Sequence, residues 1–193
     1  MFMKEVGRRE IEKKLEGMGD YVRIHYLTTC LKNKLDLDTK KFVLVKLGGI
    51  YEQRKMFNEA GKIFRLVADI EISDQSKIKD YLKSGELFIK TGNFEEADFS
   101  FGKALGLCDF TGKQSVKDSM KEYYKVQAKV YLLENKRKYA ADAYERLLTF
   151  SLPTDERVNA QKTLLDLYNR LGKMQEWKIL KSMMDGVGFK GIN

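Results

Sequence analysis

A single proline in 193 residues leaves almost nothing in this chain to interrupt a helix. Two isolated cysteines, Cys30 and Cys108, do not make a disulfide framework and fit the reduced thiols of a cytosolic protein. One histidine, His25, with two scattered cysteines offers no metal-ligand spacing, so neither a metal nor a cofactor is expected. No uncharged apolar run approaches a bilayer's thickness. The nearest, FVLVKLGGI at 42–50, is short and carries Lys46. No membrane insertion is expected. The opening MFMKEVGRREIEKK lacks the apolar core of a secretory signal, and a cytoplasmic location is expected.

Catalytic signatures are equally scarce. There is no G-x-S-x-G motif and no pair of carboxylates in a convincing setting. The stretch Gly106 to Gln114 superficially resembles a phosphate loop. It has five residues between its glycines and Gln where Ser or Thr would bind Mg²⁺. It is read as a linker between helices. A non-catalytic protein is expected.

What is present is apolar content enough for a sizeable core, 43%, and a formal net charge of +8. That charge fits a nucleic-acid, acidic-peptide or anionic-surface partner, and equally a soluble helical protein with lysine-rich faces.

The organising stretch is 78–111, IKDYLKSGELFIKTGNFEEADFSFGKALGLCDFT. Tyr81, Leu82, Gly85, Phe88 and Ile89 recur at helical spacing. Thr91-Gly92-Asn93 ends that helix, and Phe94, Ala97, Phe101, Ala104 and Leu105 line a second. Gly85 and Ala97 sit on the facing stripes, where small residues allow close approach.

This spacing resembles the tetratricopeptide repeat (TPR), W-x2-L-G-x2-Y followed by A-x3-F over about 34 residues. Tyr81, Gly85, Phe88, Ala97, Phe101 and Ala104 carry the match; Ser84 replaces the Leu and Asp109 the Pro. Further units are read at 41–74 (Leu47, Gly48, Tyr51, Ala60, Phe64), 121–153 (Tyr124, Ala128, Tyr131, Ala140, Tyr144) and 158–191 (Leu164, Leu165, Tyr168, Gly172). In the last, Trp177 stands where the others have Ala. A degenerate hairpin is expected at 4–34, with Asp20 as a helix cap. Residues 108–120 are surplus to the repeat. There Ser115 and Asp118 have capping-box spacing, predicting a helix from Ser115 to about Glu134, roughly 30 Å long. The units are longer than 34 residues, as in the soluble NSF attachment protein family, which the chain loosely resembles.

The resemblance implies an all-α, right-handed solenoid of about five antiparallel helical hairpins, forming one domain. It also implies a concave groove lined by the first helix of each hairpin. Projected on that geometry, Lys79, Lys83, Lys125, Lys129 and Lys162 form a basic stripe, diluted by Glu86, Glu122 and Asp166. Their plainer reading is solvated helix positions. The carboxylate clamp of chaperone-binding TPR domains is not matched, since Val45 and Gly49 occupy the corresponding sites. Trp177, Leu180, Met183 and Met184 form a second candidate, an uncovered end that would support a homodimer unless Phe189 and the tail fold over it. The expected function is a scaffold or adaptor for a protein partner, acidic if the stripe is used. The alternative is an RNA- or ribosome-associated factor whose basic face contacts phosphates. An attachment role at membranes is a third, weaker reading.

Overall fold

The computed structural model describes residues 7–187, all of whose regular secondary structure is helical. The helices are α1 (Arg8–Leu15), α2 (Asp20–Cys30), α3 (Leu37–Gln53), α4 (Phe57–Ile70), α5 (Asp74–Ile89), α6 (Phe94–Gly106), α7 (Phe110–Leu133), α8 (Arg137–Leu147), α9 (Thr154–Leu171) and α10 (Met174–Val187). The chain forms two compact units that divide within α7, after Val116.

Four helices end in the same way. Lys55, Gly92, Asn135 and Gly172 adopt φ of 58°, 75°, 56° and 71°. The amide after each reaches back to an aromatic residue's carbonyl: Met56 to Tyr51 (2.8 Å), Asn93 to Phe88 (3.0 Å), Lys136 to Tyr131 (2.8 Å) and Lys173 to Tyr168 (2.9 Å). This six-residue closure satisfies carbonyls left open at a helix end, and it requires a left-handed residue. The next helix then starts identically. Ala60, Ala97, Ala140 and Trp177 donate their amides to Met56, Asn93, Lys136 and Lys173. Ala60, Ala97 and Ala140 are completely buried, whereas Trp177 is only half-buried. One backbone geometry therefore recurs at these four helix junctions.

In the first unit α3 packs against α1, α2 and α4, α4 against α5, and α5 against α6. Ile11, Leu15, Leu27, Cys30, Phe42, Val43, Leu47 and Ile50 make one cluster. Phe88 and Phe101 are fully buried, each worth ~2–3 kcal/mol relative to exposure. Ser84, where the repeat pattern has Leu, is also fully buried. Its hydroxyl donates to the Gly61 carbonyl of α4 at 2.8 Å and lies 3.1 Å from the Ser100 hydroxyl of α6. A small polar residue thus joins three helices, where a Leu would have to be accommodated in a fully packed position.

In the second unit α8 packs against α9, and α9 against α10. Tyr124 lies 6.1 Å from Phe150, and Tyr131 lies 5.5 Å from Tyr139, between ring centroids. The buried Tyr168 donates its hydroxyl to Glu145 at 3.0 Å. Alanines at 140, 141, 143 and 160 keep the helix contacts close.

Several boundaries differ from expectation. α7 begins at Phe110, not at Ser115, because the Asp109 carboxylate accepts from the Gly112 amide at 2.7 Å. The surplus residues thus lengthen one helix to 24 residues, about 36 Å. Thr111 to Gln114 are helical rather than linker. Gly19, not Asp20, is the cap of α2. Asp20 instead forms ion pairs with Arg23 and Arg54. The buried stripe of α2 is Leu27 and Cys30 with Ile24 and Leu31, while Tyr21 is 70% exposed with the Arg54 guanidinium 4.2 Å from its ring centre.

Candidate binding cleft

The five lysines read as a groove fall in both units. In the first, Lys79 is exposed on α5. Lys83, one turn on, is half-buried and already engaged. Its ammonium donates to Glu52 of α3 at 2.6 Å and approaches Glu86 at 3.5 Å. Burial opposes its charge, but the hydrogen bond to Glu52 and the two carboxylates outweigh that and raise its pKa. Lys83 therefore serves an internal ion network rather than presenting a free cation.

In the second unit Lys125 and Lys129 come together on the wall of an open cleft of about 380 Å3. The other lining residues come from three places. Tyr144 and Leu147 belong to α8, Leu152 to the following loop, and Glu156, Asn159, Ala160 and Thr163 to α9. The loop is held by Arg157, whose guanidinium donates to the Leu148 carbonyl at 3.3 Å and the Phe150 carbonyl at 2.8 Å. Successive turns of α9 then present Glu156, Asn159 and Thr163 to one side, as a helical i, i+3, i+7 set must. Lys162 is exposed on α9 and does not line the cleft.

The electrostatics centre on Glu156. Lys125 donates to its carboxylate at 2.9 Å, from α7 to α9. The Glu156 carboxyl is held below the ordinary carboxylate range, first by that hydrogen bond, then by the charges of Lys125, Lys121 and Lys129. The Lys125 pKa is raised by the same bond. Lys121, one turn before Lys125, also pairs with Asp118 at 2.9 Å. Burial pushes the Tyr144 hydroxyl up, partly offset by a hydrogen bond with Thr163. The cleft thus has an apolar floor, one amide, and a cationic wall facing a single carboxylate.

Two further clefts of about 360 Å3 lie in the first unit. One, between α1, α2 and α3, is lined by Val45 and Gly49 with Glu12, Glu16, Arg23 and Lys46, and its charges are mixed. The other is bordered by Tyr81, whose hydroxyl donates to Asp69 at 2.5 Å.

The residues expected at an uncovered end differ in exposure. Met183 is 61% exposed, but Trp177, Leu180 and Met184 are half-buried. Their i, i+3, i+7 spacing puts them on one face of α10, and that helix packs against α9. Among the described side chains of α10, Met174, Ile179 and Met183 are the exposed large apolar ones. Phe189 lies outside the described residues.

Among the described residues, no cluster of three His, Cys, Asp or Glu side chains could hold a metal ion. His25 is exposed, Cys30 buried and Cys108 half-buried. No described helix is long and apolar enough to cross a membrane. The partners Glu52 and Glu156 were not singled out from sequence. Each stands 31 positions from its lysine, beyond any i, i+4 rule. No family model matches the chain, and no curated protein matches it.

Proposed function

We propose that this chain is a non-catalytic, TPR-like scaffold that holds a protein partner, with the second-unit cleft as a principal contact. Support for the architecture comes from the four identical helix ends. Turns of three to four residues between α3 and α4, and between α5 and α6, suit antiparallel hairpins. Stacking such hairpins in a right-handed solenoid buries apolar faces that one hairpin cannot cover alone.

The observation that carries the binding role is the cleft's composition. The half-buried Leu152 offers apolar contact over the buried Leu147 and Ala160, Asn159 has both donor and acceptor, and Lys125 and Lys129 add charge. An open trough of this kind suits an extended peptide segment better than an enclosed metabolite. Its aromatic member, Tyr144, is only 7% exposed, so no ring is free to stack on a base. That favours a protein over the RNA- or ribosome-associated alternative. The cytoplasmic location remains part of this reading.

The test is a photo-crosslinker at Asn159 in the full chain, used in native lysate with and without nuclease. A nuclease-resistant protein adduct that Lys125→Glu with Lys129→Glu abolishes is expected. Adducts that disappear with nuclease, and association that collapses as salt is raised, would replace the scaffold with the ribonucleoprotein reading.

A further inference from the structure

The cleft already contains one carboxylate, and it belongs to the chain. Glu156 reaches across from the first turn of α9 to Lys125, 2.9 Å away, with Lys121 and Lys129 also acting on it. Three ammonium groups on successive turns of α7 thus act on Glu156, while Lys121 is also paired with Asp118 and Glu122 acts on Lys125. Lys129 is exposed and forms no salt bridge among the described residues. The lining alone carries two lysines against one glutamate. Removing Glu156 from Lys125 would leave that wall with unbalanced positive charge beside an apolar floor.

We propose that Glu156 occupies the position of a partner's carboxylate, so that the cleft takes an acidic segment with a neighbouring aliphatic side chain, in competition with Glu156. This rests on the scaffold reading above and narrows it to a class of partner. An incoming Asp or Glu forms the salt bridge to Lys125 as Glu156 swings into solvent. Its aliphatic neighbour lies on the half-buried Leu152, and Asn159 bonds the segment's backbone. The exchange replaces one half-buried ion pair by another of the same kind, so it costs little electrostatic energy. The net gain comes from apolar contact and from Lys129. Glu156 also disfavours anionic segments that lack the apolar neighbour, because those cannot offset its displacement.

The test uses two fluorescein-labelled peptides, acetyl-LEELDELG-amide and its counterpart with Gln and Asn for Glu and Asp. A 12-nucleotide single-stranded RNA is the third probe. Binding is measured by anisotropy to the wild-type chain, Glu156→Gln and Lys125→Gln. Glu156 is on the surface, so the thermal midpoint of Glu156→Gln should stay close to wild type. The acidic peptide should bind Glu156→Gln roughly two- to fivefold more tightly than wild type, and Lys125→Gln more weakly. The neutral peptide should distinguish none of them. Equal affinity of wild type and Glu156→Gln for the acidic peptide would overturn the competitor role while leaving the cleft in place. RNA that binds Glu156→Gln more tightly, with no peptide binding, would overturn the acidic-segment class. No peptide binding despite a protein adduct at Asn159 would overturn this inference alone. Absence of that adduct as well would overturn the scaffold reading.

Discussion

The Phe101 ring of α6 lies directly against the backbone of Gly85 in α5. A Cβ on Gly85 would come within 2.6 Å of Phe101 Cζ and 2.7 Å of Cδ1. Phe101 is fully buried, so its ring has nowhere to retreat. Gly85→Ala should therefore destabilise the chain by ~1–3 kcal/mol, the usual cost of overpacking, despite alanine's better helix propensity. Gly102 in α6 is the control. Nothing lies within 4 Å of a Cβ there, so Gly102→Ala should be neutral or stabilise by up to ~1 kcal/mol. Urea unfolding of both variants checks the contrast. Similar shifts in both would show that the Gly85 contact is not close-packed.

That contact was legible in the sequence, because Gly85 and Phe101 both fall on the apolar stripes of 78–111. So were the helix ends at Gly92 and Gly172, since glycine marks a left-handed residue. What was not legible depended on distance or on competition between local signals. Glu52 and Glu156 reach their lysines from neighbouring helices, and no sequence pattern specifies which carboxylate will arrive. Ser115 carried the cap signal and Asp109 only stood in for the repeat's Pro, yet the Asp109 carboxylate took the helix start because Gly112 presents its amide to it. Ser84 read as a departure from the repeat, yet it is a three-helix hydrogen-bond junction.

Lys55 and Asn135 hold the left-handed position that glycine holds in the other two turns. A Cβ costs roughly 1–2 kcal/mol there, and glycine loses part of that gain through its freer unfolded chain. Lys55→Gly should stabilise by about 0.5–1 kcal/mol, and Asn135→Gly by less, because Asn tolerates this conformation. Gly92→Ala should destabilise. Thermal unfolding of the three variants gives the order, and a destabilised Lys55→Gly would mean that the lysine side chain contributes contacts outweighing its backbone.

Burial and the hydrogen bond to Asp69 raise the Tyr81 hydroxyl from 10.0 to about 12. Burial and Glu145 raise that of Tyr168 as well. A raised folded pKa means that the unfolded chain loses its proton first. The stabilisation is present in full below pH 10 and is lost as pH rises through about 12. Stability should therefore fall across that window, on the order of 1–2 kcal/mol for Tyr81. Tyr81→Phe should be somewhat less stable at neutral pH but less sensitive to alkali. Denaturant midpoints between pH 9 and about 12, with tyrosinate absorbance followed in parallel, test this; an unchanged slope in Tyr81→Phe would remove Tyr81 from the account.

The start of α7 separates two capping residues. Asp109 accepts from the Gly112 amide at 2.7 Å and the Thr111 hydroxyl at 3.0 Å, which hold its carboxyl below the ordinary range. A lowered folded pKa means that this stabilisation is present above the ordinary carboxylate pKa and is lost as pH falls through the folded one. Asp109→Ala should speed amide exchange at Thr111, Gly112 and Lys113 and lower helix content, leaving residues beyond Lys117 protected. The difference from wild type should disappear in acid, well below ~pH 4, where the native cap is itself protonated. Ser115 lies inside the helix, so Ser115→Ala should leave the exchange of the first turn unchanged. If Ser115→Ala frayed residues 116–118 while Asp109→Ala changed nothing, the helix would begin at Ser115 in solution, and the segment from Phe110 would be a loop.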